Sequence, residues 1–177
     1  MAAAKPIRII GIDPGLNRTG YGVLELAAGG LKLVEGGVVS TSAKDPLEKR
    51  LRTLYDHLVA VMDEFAPTLA AVEQLYSHYA HPRTAIQMGH ARGVIFLAAA
   101  QRGIEVVGFS ATRIKKHLTG SGHAGKEQMQ RAIAAALRLP KPPSPADVAD
   151  ALAVALTAAD AHVRGNLRGQ RRRTKRR

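Results

Sequence analysis

A chain of 177 residues, 46% of them apolar, has room for one hydrophobic core but not for two large lobes. It carries a net charge of +12 and no cysteine, which excludes a disulfide framework and any thiolate-held metal, so a metal site must use carboxylates or histidines. No apolar run approaches the roughly 18 to 20 residues that span a bilayer, and "MAAAKPIR" lacks the apolar stretch of an export signal, so a cytoplasmic protein with no membrane partner is expected.

Residues 6–13 read as a buried strand ending in Asp13, followed by the turn "PGLNRTG" and two further strands, "YGVLEL" and "LKLVEGGVV", joined by "AAGG". Residues 45–66 then place Leu47, Leu51, Leu54, Leu58, Val61, Met62 and Phe65 on one face of a long helix, with Asp45 as N-cap and Pro46 as first position. "PTLAAVEQ" is a short apolar strand, "TAIQMGHARGVIFLAAAQRG" a helix ending at Gly103, and "IEVVGF" a fifth strand. Three helical segments follow, "ATRIKKHL", "KEQMQRAIAAALRL" and "PADVADALAVALTAADAHV", the last two separated by "PKPPSP". Three meandering strands and then alternating helices and strands predict an α/β fold: a single mixed five-stranded sheet with helices on both faces, its first and fourth strands central. Residues 1–163 form this domain. From Arg164 onward eight Lys or Arg and no acid leave a net +4 for residues 1–163. The segment 164–177 reads as a disordered basic tail that either favours polyanions through counterion release or only aids solubility.

Asp13 and Glu73 each end an apolar strand, where a carboxylate leaving water needs compensation. Asp13 has a second reading as the opening of an Asp-Pro-Gly turn with an Asx bond, and Glu73 as a strand end reaching solvent. In "SPADVADALAVAL", Ser144 as N-cap, Pro145 and Asp147 fit a capping box, which leaves Asp150, one turn further, unexplained. Two like charges on adjacent turns call for a cation or basic neighbour between them. Together the four acids are the oxygen donor set of two-metal phosphoryl chemistry, in which hard Mg²⁺ or Mn²⁺ ions about 4 Å apart activate water and stabilise the leaving oxygen.

The stretches "GIDPGLNRTGYGVLE", "AVEQLY", "TAIQMGHARGV", "IKKHLTGSGHAGKEQMQ" and "ADVADALAVAL", in this order and spacing over roughly residues 6–163, resemble the RuvC Holliday junction resolvases. The resemblance implies a ribonuclease H-like fold and a homodimer whose two sites nick opposed strands of four-way junction DNA in recombination and repair. It also implies dependence on Mg²⁺ or Mn²⁺, two ions per site, and 5′-phosphate and 3′-hydroxyl products. Partner proteins implied are the branch-migration complex RuvA and RuvB. Asp13, Glu73, Asp147 and Asp150 match the family's acidic site positions, Asp13 bridging both ions by analogy. Lys115 and Lys126 match basic positions near DNA phosphates. Tyr76 stands where the family usually has a wedging phenylalanine, and His81 where asparagine is common. A tyrosine still stacks on a base, with an added polar hydroxyl. His78 and His81 lack a third ligand nearby for a metal site of their own.

"GSGHAGKE" satisfies P-loop spacing through Gly120, Gly125 and Lys126, but Glu127 replaces the required Ser or Thr and a helix, not a strand, precedes it. It reads instead as a glycine-rich loop opening a helix, whose free N–H groups can meet a phosphate. A sugar kinase or actin-like ATPase would need a second lobe. The alternatives left open are a non-catalytic basic nucleic-acid-binding protein and a related ribosomal RNA maturation nuclease.

Overall fold

In β1 (Ile7–Asp13) alternate side chains serve opposite faces of the sheet, as the period of two requires. Ile9 packs in one apolar cluster and Ile10 and Ile12 in another. This computed structural model describes residues 6–75 and 82–174, with side-chain surroundings as far as residue 165. β1 pairs antiparallel with β2 (Arg18–Ala27), which pairs antiparallel with β3 (Gly30–Ser40). On its other edge β1 pairs parallel with β4 (Leu69–Glu73), and β4 with β5 (Glu105–Phe109). The order β3-β2-β1-β4-β5 makes one mixed five-stranded sheet with β1 in the middle and β4 interior, as the apolar strands predict.

One face is covered by α1 (Leu47–Phe65) and α2 (Pro82–Ala100), which bury Leu54, Leu58, Met62 and Ile95 against Ile10, Ile12 and Val72. The other carries α5 (Ala146–Thr174), with α3 (Ala111–Thr119) and α4 (Lys126–Ala136) beside it. α5 lies unusually close to the strands because Gly11 and Gly20 have no side chain. A Cβ at Gly11 would fall 2.2 Å from the Ala151 carbonyl oxygen, and one at Gly20 2.0 Å from that of Asp147. The alanine-rich α5 face, with Ala151 and Ala155 fully buried, is the matching half of this contact.

Three boundaries differ from expectation. Pro46 caps α1, and Asp45 instead pairs with Lys49 at 3.0 Å, so Leu47 begins the helix and is 40% exposed. At α5 the Pro145 carbonyl accepts from the Val148 and Ala149 N–H groups, so Pro145 rather than Ser144 occupies the cap position and the predicted capping box does not form around Asp147. The arm predicted as disordered from residue 164 has helical backbone as far as Thr174. No proline interrupts residues 146–174, and a helix already nucleated by its buried first half propagates at little cost. Among the described residues no helix is long and apolar enough to cross a membrane.

Candidate active site

The strand period that buries Ile9 also fixes where the acids point. Ile9, Gly11 and Asp13 share one face of β1, and Leu69, Ala71 and Glu73 share the same face of β4. The parallel register pairs Ile12 with Val72, which brings the next residues, Asp13 and Glu73, side by side at the carboxyl ends of adjacent strands. That face is the one α5 covers, and Asp150 reaches it from the helix. The three carboxylates line a cavity of about 370 Å³ together with Lys115 of α3 and Lys126, the first residue of α4.

The turn after β1 leaves Asp13 available. The Gly15 N–H, which an Asx turn would direct to the Asp13 carboxylate, donates to Thr19 Oγ1 at 3.4 Å, and that hydroxyl donates to the Gly15 carbonyl at 2.5 Å. Arg50, only 6% exposed, donates to Asn17 Oδ1 at 2.5 Å and Thr41 Oγ1 at 3.1 Å, and so ties α1 to this turn. A buried guanidinium satisfied by neutral oxygens is a structural anchor for the loop that presents Asp13.

The electrostatics are those of crowded, desolvated acids. Burial pushes the Asp13 pKa up to about 7, reinforced by Glu73, Asp150 and Asp147 in that order. Glu73 is raised by burial and by Asp150, against the pull of Lys115 and Arg92. Asp150 is raised by burial, with Lys126 opposing, Asp147 adding to the rise and Lys115 opposing. Each group favours a nearby positive charge.

Asp147 stands apart from the cavity lining. Its Oδ2 accepts from Arg18 Nε at 3.1 Å and Arg18 Nη2 at 2.9 Å. Its charge still reaches Asp13 and Asp150. Among the described residues no three His, Asp or Glu side chains already converge on one ion position. The donor set nevertheless suits a hard divalent cation, because the carboxylates are oxygen-only, desolvated, mutually repelling and incompletely balanced by lysine.

The glycine-rich loop ends at α4 with Gly125 as N-cap and no side-chain cap hydrogen bond, so the first N–H groups of that helix stay available beside Lys126. Tyr76, His78 and His81 lie outside the described residues.

Two arginines went unnoticed in the sequence. Arg18 meets a carboxylate 129 residues away, a pairing no local pattern encodes. Arg92, inside "GHARGV", donates through Nη1 to the Glu73 carbonyl and stacks its guanidinium 4.8 Å from the Phe96 ring centre. It thereby steadies the end of β4 that bears Glu73.

Known proteins resemble this chain in sequence and in fold. The family model described as crossover junction endodeoxyribonuclease RuvC matches residues 9–158. A crossover junction endodeoxyribonuclease RuvC of Rhodopirellula baltica is 51% identical over 148 residues, covering 84% of this chain and 83% of its own length. The Thermus thermophilus RuvC structure superposes with a TM-score of 0.83 at 33% identity, over 90% of this chain and 97% of that one. The same protein in complex with a Holliday junction substrate gives 0.84 at 33% identity, over 90% and 96%. The mixed sheet with helices on both faces is thus ribonuclease H-like, as the resemblance implied, and the chain belongs to the RuvC family of crossover junction endodeoxyribonucleases.

Proposed function

We infer that this chain is a structure-selective endonuclease that resolves four-way Holliday junctions by metal-dependent phosphodiester hydrolysis. The observation that carries this reading is the meeting of Asp13, Glu73 and Asp150 with Lys115 and Lys126 in one cavity. In it, Asp13, Glu73 and Asp150 would hold Mg²⁺ or Mn²⁺, with two ions per site as the family resemblance implies, and Asp147 would complete the set. Bound divalent cations supply charge neutralisation at the scissile phosphate and acidify water. The carboxylates fix where that positive charge sits, while Lys115 and Lys126 draw the phosphate oxygens into the cavity and stabilise the charge that builds on them. A water oxygen adds to phosphorus as the water loses a proton to solvent, and the bond to the 3′-oxygen breaks with that oxygen taking up a proton, which leaves the 5′-phosphate and 3′-hydroxyl. Tyr76 stacks on a base near the crossing point.

The direct test is a nicking assay on a synthetic four-way junction, with Mg²⁺, with Mn²⁺ and with chelator. Paired nicks in opposed strands that need either cation are expected. Cutting unaffected by chelator, or cutting of structured RNA in preference to the junction, would reject the reading.

Paired cutting requires two sites, and we infer a homodimer formed through α2. Ile86 and Leu97 are 61% and 52% exposed and lie within about 20° of one another around the helix at 100° per residue. Between them an added Cβ at Gly89 or Gly93 would meet nothing within 4 Å, leaving the backbone open to close approach. A two-fold pairing of this stripe suits a two-fold junction. Leu97→Glu is expected to give a monomer by light scattering and to uncouple the two nicks, with an unchanged far-ultraviolet circular dichroism spectrum because the side chain is exposed in the single chain. The branch-migration proteins RuvA and RuvB are the expected partners and the cytoplasm the expected location. In this reading the basic residues from Arg164 onward add affinity for DNA that falls with salt.

A further inference from the structure

We propose that Arg18 is an exchangeable counter-ion of Asp147, competing with the divalent cation for its carboxylate and yielding it when metal binds. This rests on Asp147 being one of the metal-holding acids of the proposed function.

The argument begins in β2. Arg18 and Gly20 are two residues apart, so they address the same side of the strand. Both engage Asp147. Gly20 admits its backbone carbonyl at a distance that no side chain would allow, and Arg18 grips its carboxylate through Nε and Nη2. Asp147 is therefore held in place by its backbone whether or not Arg18 keeps its carboxylate.

The grip is of a releasable kind. Both donors fall on Oδ2, not on the two oxygens of a fork-to-fork pair, the geometry that makes an arginine–carboxylate contact strongest. The side chains are 51% and 26% exposed, a setting in which ion pairs are weak and readily exchanged.

The surroundings explain why a counter-ion is needed at all. Asp147 adds its charge to that of Asp13 and Asp150, and the cation that touches its carboxylate is Arg18. Without metal, Arg18 is the cation that lets Asp147 stay near the others. A divalent ion in the site relieves the same repulsion, and from then on Arg18 and the ion compete for one carboxylate.

Calorimetric titration of the full chain with Mn²⁺, in the absence of DNA, tests this with three variants. Arg18→Gln should bind Mn²⁺ roughly two- to fivefold more tightly than the parent, the factor by which an exposed ion pair masks its carboxylate. Asp147→Asn should bind more weakly than the parent, and the double variant should equal Asp147→Asn. Unchanged or weaker binding by Arg18→Gln overturns the proposal. So does a gain that persists in full in the double variant, since that would be a general effect of removing positive charge. If Asp147→Asn binds Mn²⁺ like the parent, Asp147 is not a metal-holding residue, and the assignment beneath the proposal fails rather than the exchange itself. Arg18 and Asp147 both lie outside the apolar core, so unchanged far-ultraviolet circular dichroism is expected for all variants.

Discussion

Asp13→Asn is expected to nick a four-way junction more than about a hundredfold more slowly than the parent under single-turnover conditions, with junction affinity within about threefold. The asymmetry follows from the site. Asp13 is one of the cavity acids, but its environment is unfavourable to negative charge, so neutralising it would take away the proposed metal donor without removing any contact that attracts DNA. A variant that cuts as fast as the parent would reject the metal-site assignment. If neither protein cuts with Mg²⁺ or Mn²⁺, a non-catalytic DNA binder becomes the better reading.

The same substitution should raise the stability of the metal-free protein, in a pH-dependent way. The folded-state pKa of Asp13 is about 7 against an ordinary value of 3.8. Between those values the folded chain holds a proton that the unfolded chain has released, so stability falls as pH rises through this window. Below it both states are protonated and the effect vanishes. Above about pH 7 the full penalty applies, on the order of 2 to 4 kcal/mol. Asp13→Asn should therefore melt several degrees higher than the parent at pH 8 in chelator, and equally at pH 3.5. The opposite order at pH 8 would show that the acids are stabilised by their surroundings.

Gly20→Ala is the second large effect. The new methyl would sit 2.0 Å from the Asp147 carbonyl oxygen, which is backbone and cannot rotate away, so the start of α5 must lift from β2. Overpacking of this kind costs about 1 to 3 kcal/mol, or roughly 2 to 10 °C in melting temperature for a domain of this size. The loss of activity should exceed the loss of stability. Asp147 and Asp150 ride on the displaced turn, and a shift near 1 Å in catalytic geometry can cost about a hundredfold in rate. Gly29→Ala, where the added carbon meets nothing within 4 Å, is the control and should match the parent in both measurements. A Gly20→Ala protein with unchanged kcat would mean that the seating of α5 does not set the position of the acids.

The sequence carried the sheet, the helices and the central place of β1 because period-two and period-3.6 apolar patterns are local. That Asp13 and Glu73 each end a buried strand was legible for the same reason, but that they meet follows only from the parallel pairing of β1 with β4. What escaped were relations across the chain. Ser144 looks like a better cap than Pro145, yet it is the Pro145 carbonyl that accepts the first amides of α5. Asp147 read either as part of a capping box or as one of four acidic donors, and only folding reveals that Arg18 holds it. Arg50 is buried to anchor the turn behind Asp13 through Asn17, a partner 33 residues away that no local pattern encodes. The basic run after Arg164 has the composition of a free arm, but composition does not register that α5 already supplies a helical template.

The segregation of the two core clusters has a consequence for how such an enzyme can change over time. The cavity acids and lysines lie on the α5 side of the sheet, and the exposed α2 stripe lies on the other. In the dimer inferred above, surface drift on α2 would retune how strongly two copies associate, or which copies associate, without touching the chemistry of the cut. In that reading the sheet would act as a partition between the hydrolysis of a single strand and the coordination of two such events.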